Sequence, residues 1–195
     1  MIRSLIGGLV AGVVMFLLGF VFWGTPLAEL AFARAPEAQS AAVQLAMAQN
    51  LTPTGTGTYI IPSPSTAGGT VLYGRGPIAT VHFNSGGFAA DDMSMMLPGL
   101  IFALVSGVLM ALGIGAVARE KSFAETARLV VLFSLGLTVW TILAIPVFNH
   151  FGWTYWIYLF VSESIAVIAG GLVIARWFVP ATPVAAPAEP VTPAG

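Results

Sequence analysis

Four apolar runs dominate this sequence, at residues 5–23, 97–118, 129–148 and 156–177. Each is close to the ~20 residues that an α-helix needs to cross a hydrocarbon core of about 30 Å. Lipid offers no water to the backbone, so runs of this length must form helices that satisfy their own N–H and C=O groups. Only 8% of the residues are charged and 57% are hydrophobic, against about 25% charged in an ordinary soluble domain. The expected fold is an integral membrane all-α core of four transmembrane helices, with a small external α+β cap between helices 1 and 2. In segments, 1–23 is the first helix, 24–96 the external (periplasmic) cap and 97–178 the remaining three helices. The Pro/Ala-rich residues 179–195 read as a disordered cytoplasmic tail.

The first run follows Arg3 and precedes Ala31-Phe32-Ala33, which together resemble a secretory signal and its cleavage box. The run exceeds the roughly 7–15 apolar residues of a signal core and the box lies well beyond it, so an uncleaved helix is expected. Cytoplasmic loops carry an excess of Lys and Arg. With four spans, Arg3, Arg119, Lys121, Arg128 and Arg176 fall on one side, and only Arg34 and Arg75 on the other. Both termini are therefore expected in the cytoplasm, with 24–96 outside the inner (plasma) membrane.

Small residues recur within two of the spans. Gly8 and Gly12 form a Gly-x-x-x-Gly pair in the first, and Gly99, Ala103, Gly107, Ala111 and Gly115 recur every fourth residue in the second. Small residues let helix backbones approach closely in lipid. The first helix is the natural partner of the longer stripe, and a seam between two copies is the other reading.

Between these spans, Thr25 is placed to cap a helix with Pro26 at its first position. Residues 37–50 read as a modest amphipathic helix packing on the strands that follow. Segments 58–61, 71–73 and 78–83 read as short strands among Thr, Gly and Pro. Asp91, Asp92 or Ser94 is expected to cap the second span. A cap of about 70 residues without disulfides has a marginal core, so it should lean on the membrane helices or on a partner protein.

Glu163 is the only acidic or basic side chain within the spans as drawn apart from Arg176 at the end of the fourth, and a carboxyl in hydrocarbon is costly. It reads either as a functional group (a proton relay, an ion site or the contact with a partner subunit) or as interhelical glue. In the second case Thr138, Thr141 and Ser134 on the third helix are its expected partners, with Trp140 and His150 as further candidates. A neutral Glu both donates and accepts hydrogen bonds across helices.

Other chemistries are narrower. His82 with Met93, Met95 and Met96 offers imidazole and thioethers, a set that suits Cu(I). The absence of Cys excludes disulfides, thiolate metal sites, iron–sulfur clusters and Cys nucleophiles. A net charge of −1 excludes a strongly basic nucleic-acid binder. No nucleotide-phosphate loop, His-Glu-x-x-His pair or Gly-x-Ser-x-Gly elbow occurs, so neither an enzyme nor a cofactor is expected.

Thr56–Pro62, TGTYIIP, and Gly76–Phe83, GPIATVHF, resemble a segment of uncharacterised bacterial four-helix membrane proteins. The resemblance implies one helix before an external segment and three after it, and brings no activity or site residues. The most economical expectation is a non-enzymatic accessory or assembly subunit of a larger membrane complex, in contact with lipid and with a protein partner. Its rivals are a small homo-oligomeric transporter or channel using Glu163, and a periplasmic metal or redox handling protein using His82 and the Met cluster.

Overall fold

The computed structural model describes residues 2–118 and 120–179. Arg119, counted above among the basic residues, and all of the expected tail beyond Val179 lie outside them. In chain order the elements are α1 (Ile2–Trp23), a 3-10 turn (Pro26–Ala31), α2 (Glu37–Leu51), β1 (Gly57–Ile61), α3 (Ala67–Arg75), β2 (Ala79–Phe83), α4 (Met96–Val117) and α5 (Phe123–Thr138). A π-turn (Val139–Leu143) joins α5 to α6 (Ala144–Asn149), and α7 (Trp153–Val173) ends in a second π-turn (Ile174–Phe178). The chain divides into two compact units, one of Arg34–Met93 and one holding everything else.

Four helices are long and apolar enough to cross a membrane: Ile2–Trp23, Met96–Val117, Phe123–Asn149 and Trp153–Phe178. Their most apolar windows bury between 11% and 33% of their residues, yet they are apolar all round. Leu17, Phe102, Phe133 and Ile157, for example, are exposed. A helix apolar on its exposed face belongs in lipid, so the chain is a multi-pass membrane protein.

The third span starts earlier than residue 129, and the reason is a capping box. Ser122 Oγ accepts from the Glu125 N–H at 3.3 Å, while the Ser122 N–H donates back to the Glu125 carboxylate at 2.8 Å. Two orphan donors at the helix start are thereby satisfied. The first π-turn lies just before Pro146, which has no N–H for the Ile142 carbonyl and whose ring crowds it. The wider turn re-spaces the ladder there. His150, in the left-handed region at φ 53, stops α6, and Gly152 then opens α7.

Packing within this unit is uneven. α1 and α4 run antiparallel in intimate contact. A Cβ placed on Gly8 would stand 2.6 Å from the Val108 Cα, and one on Gly12 would stand 2.6 Å from the Ala103 carbonyl oxygen. One on Gly107 would stand 2.6 Å from the Gly12 nitrogen and closer still to the Gly8 carbonyl. Ala111 is buried, while Gly99 faces Phe16 and Gly115 faces Ser4. The small-residue stripe thus closes on α1 along its whole length. α7 packs on α1 and on α5. α4 and α5 do not pack side by side.

Both ends of the bundle are tied. At one, the Arg3 guanidinium donates to the Trp177 carbonyl at 2.8 Å, and Arg176 lies over the Phe123 ring at 5.6 Å. At the other, the Tyr158 hydroxyl donates to the Phe22 carbonyl at 2.6 Å, and Trp23 meets Tyr158, Tyr155 and Phe32 edge-on or tilted. Thr25 caps the 3-10 turn through the Leu27 N–H at 3.3 Å, with Pro26 following it. At the start of α4, Met95 occupies the cap position and makes no side-chain cap hydrogen bond of its own.

The unit Arg34–Met93 holds one antiparallel strand pair, with Thr58 opposite His82 and Tyr59 opposite Val81. Residues 71–73, expected as a strand, lie in α3 instead. Thr66 caps that helix through the Gly69 N–H at 3.0 Å, and Gly76 at φ 64 ends it. The run Val71-Leu72-Tyr73 has no alternation to hold it in a sheet, and the caps on either side supply the helix. No residue of the unit is buried. α2, expected to rest on the strands, is exposed over most of its length, with Val43 and Leu45 58% and 59% exposed, while Met47 is half-buried beside a hollow that Val81 and His82 also line.

The α1–α4 seam yields a mutational test. Gly107→Val should destabilise the detergent-solubilised chain by about 2 kcal/mol or more, because backbone atoms cannot yield as side chains do. Gly113→Ala, whose Cβ would meet nothing within 4 Å, should change it by no more than about 0.5 kcal/mol. Thermal unfolding followed by circular dichroism measures both, and equal responses would contradict the seam.

Candidate functional site

Glu163 stands on α7, ten residues after Trp153, hence roughly 15 Å along the axis and near the middle of the span. Glu163, Val167, Gly170 and Gly171 are spaced i, i+4, i+7 and i+8, which is one helix face. That face is turned inward. A Cβ on Gly170 would meet the Met15 side chain of α1 at 2.8 Å, and one on Gly171 would meet Val130 of α5 and Met110 of α4. Glu163 is accordingly half-buried.

Two of the three hydroxyls expected to bind it, those of Thr138 and Thr141, are committed elsewhere. The Thr138 hydroxyl donates to the Ser134 carbonyl at 2.9 Å and lies 2.9 Å from the Ser164 hydroxyl. Its one hydrogen is spent on that carbonyl, so Ser164 is the donor across the helices. Thr141 donates to the Leu137 carbonyl at 2.8 Å, and Ser162 to the Leu159 carbonyl at 3.0 Å. The interhelical tie between the third and fourth helices is therefore Thr138–Ser164. Neighbouring residues on a helix point about 100° apart, so the face that brings Ser164 to α5 turns Glu163 away from it. Among the described residues the Glu163 carboxyl has neither a hydrogen bond nor an ion pair.

Beside α5 lies an opening. α4 and α5 face one another across a groove of about 460 Å3, lined among others by Gly113, Ile114 and Val117 on one wall and Val130, Phe133 and Leu137 on the other. Val167 belongs to its lining, and Glu163 is one turn along α7 from Val167. The wall at Gly113 has open space before it. Nothing in the residue types announces this groove, because it arises from two helices that do not pack side by side.

The remaining candidates fall in both units, His82 and Met93 in one and Met95 and Met96 in the other. His82 lies on an exposed strand pair, with its Nδ1 3.0 Å from the Thr58 hydroxyl. It also lines a hollow of about 360 Å3 with Gln44, Met47 and Asn84. Met93 and Met95 are exposed, and Met96 lines a hollow of about 300 Å3 with Phe16 and Trp23. Among the described residues no three His, Asp or Glu side chains gather closely enough to hold an ion. Gly8, Gly12, Gly99, Ala103, Gly107, Ala111 and Gly115 are spent on the α1–α4 seam. No family model, curated protein or solved structure matches the chain.

An unpartnered carboxyl predicts an unusual stability pattern. Glu163→Leu should raise the unfolding midpoint of the isolated chain in detergent, since burying a polar group without a partner costs about 1–3 kcal/mol. Thr138→Val and Ser164→Ala should each lower it, with a coupling near 0.6 kcal/mol between them in a double-mutant cycle. A loss in Glu163→Leu as large as that in Thr138→Val would show that the carboxyl is an internal tie after all.

Proposed function

We propose that this chain is a non-enzymatic accessory or assembly subunit of a larger complex in the inner (plasma) membrane. Both termini are cytoplasmic, and residues 24–96 lie on the external side. One observation supports the role above all: the unit Arg34–Met93 has defined helices and strands but no buried residue. Its apolar side chains, Ile60, Val71, Leu72 and Phe88 among them, are 51%, 54%, 55% and 75% exposed. A folded segment without a core of its own depends on a surface to rest on, and a partner protein supplies one.

The orientation is supported by the gathering of Arg3 and Arg176 at one end of the bundle, where Lys121 and Arg128 flank the start of α5. Lys and Arg mark the cytoplasmic side.

Purification in a mild detergent tests the role. The chain should elute in an assembly well above its own 20.3 kDa, held together by defined partners. The double change Val71→Asp with Leu72→Asp should release it from that assembly at unchanged helix content. Recovery of a monomer alone, even after chemical crosslinking in the membrane, would contradict the proposal.

A further inference from the structure

Within the unit Arg34–Met93, the hollow that His82 lines runs along an open strand edge. We propose that it takes an extended, uncharged segment of a partner protein, which adds to β2 as a third strand. This rests on the reading of the chain as a subunit, and it names the docking surface and the form of the segment that fits it.

Place comes first. One wall of the hollow is α2, where Gln44, Met47, Ala48 and Thr52 are spaced i, i+3, i+4 and i+8, which is one helix face. The other wall is β2, through Val81, His82 and Phe83 in succession. Consecutive strand residues point to opposite faces of a sheet, so a space that all three line runs along the edge of the strand. It is the edge away from β1. β1 pairs with the other side of β2, and no residue of β1 lines the hollow.

Main-chain chemistry then selects the occupant. In an antiparallel pair, alternate residues turn their N–H and C=O groups away from the partner strand. Among the described residues nothing bonds those outward groups of β2. Another extended backbone matches such a row of donors and acceptors. An acyl chain has none to offer, and a helix spends its own internally. The lining holds no Lys, Arg, Asp or Glu, so the segment is uncharged where it enters. Nor is it a chain terminus. The N–H groups of Ser85 and Gly86, in the turn after β2, could cradle a terminal carboxylate, but they donate to Thr56 Oγ1 and Asn84 Oδ1, each at 3.1 Å. Met47 and Ala48 on the facing wall favour apolar side chains, and the Met47 thioether adapts to their shape.

Photocrosslinking in the native membrane tests this with the full chain. p-Benzoylphenylalanine replaces Gln44 or Thr52, at the two ends of the α2 wall, or Val71 on α3. Gln44 and Thr52 stand about 12 Å apart along the helix axis. An extended chain covers that in about three or four residues, a helix in about eight. Both probes should capture the same protein, and mass spectrometry should map their adducts to sites about three or four residues apart in one segment. Ala48→Trp, which fills the hollow, should cut both adducts at least roughly tenfold. Ala46→Trp, on the opposite side of α2, should leave them unchanged. Hydrogen exchange read residue by residue supplies the second measurement. Alternate amides of β2 should exchange at least roughly tenfold more slowly in the assembly than in the isolated chain, which side-chain contact alone would not produce. Four results overturn the assignment: adducts with a second copy, mapped sites about eight residues apart, a yield unchanged by Ala48→Trp, or β2 exchange unchanged in the assembly. If neither groove probe captures a protein, Val71 separates the levels. A partner captured there removes the strand site and leaves the subunit reading standing; none removes both.

Discussion

Helices in lipid gain nothing from hiding apolar surface from one another, because the surrounding chains are as apolar as they are. What holds them is close packing, and in this protein the closest packing is the contact of α1 with α4. Gly8, Gly12 and Gly107 remove the side chains that would keep the two backbones apart, and main-chain atoms of one helix come into contact with those of the other. A single Cβ at Gly107 would strike the Gly8 carbonyl and the Gly12 nitrogen. The rest of the bundle is laid against this pair. α7 rests on α1, α5 rests on α7, and Arg3 and Tyr158 fasten the two ends of the α1–α7 contact.

That order has a consequence at the far side. Each helix is held by the previous one, and the first and last of the row, α4 and α5, are left unjoined. The α5–α7 contact is secured by Ser164 and Thr138, which fixes the rotation of α7. With that rotation Glu163 is half-buried, one turn along α7 from Val167 of the groove, and its carboxyl has no hydrogen-bond partner among the described residues. The unit Arg34–Met93 shows the same incompleteness in water-facing terms, as secondary structure formed by local caps and one strand pair over no buried side chain.

Much of this was legible in the sequence, and the misses have identifiable causes. The spans follow from hydropathy and length, and the glycine stripes follow from a four-residue period. Strands 58–61 and 78–83 were readable from alternation and match β1 and β2 to within a residue. The capping box at Ser122 and Glu125 was also written in the chain, as a Ser three residues before a Glu ahead of an apolar run. It extends α5 through what reads as a loop. Val71-Leu72-Tyr73 was misread because a short apolar run fits either period, and Thr66 and Gly76 at its flanks decide for helix. The partner of α5 on α7 was not legible. Ser162, Glu163 and Ser164 are adjacent, and choosing among them requires the rotation of one helix against another. The groove is less legible still, since it arises from two helices that do not pack side by side.

The central claim is that α1 and α4 are closed on each other while α4 and α5 stand apart. The chain contains no Cys, so pairs of introduced thiols report on this without background. A disulfide brings Cβ atoms to about 3.5–4.5 Å, and the Ser4 Oγ lies 3.7 Å from a Cβ placed on Gly115, so the two positions face each other across the seam. Ser4→Cys with Gly115→Cys, oxidised in native membranes, should form an intramolecular disulfide rapidly and nearly completely. Gly113→Cys with Phe133→Cys, across the groove, should remain reduced under the same conditions. Rapid intramolecular bonding of the second pair with none in the first would contradict the account.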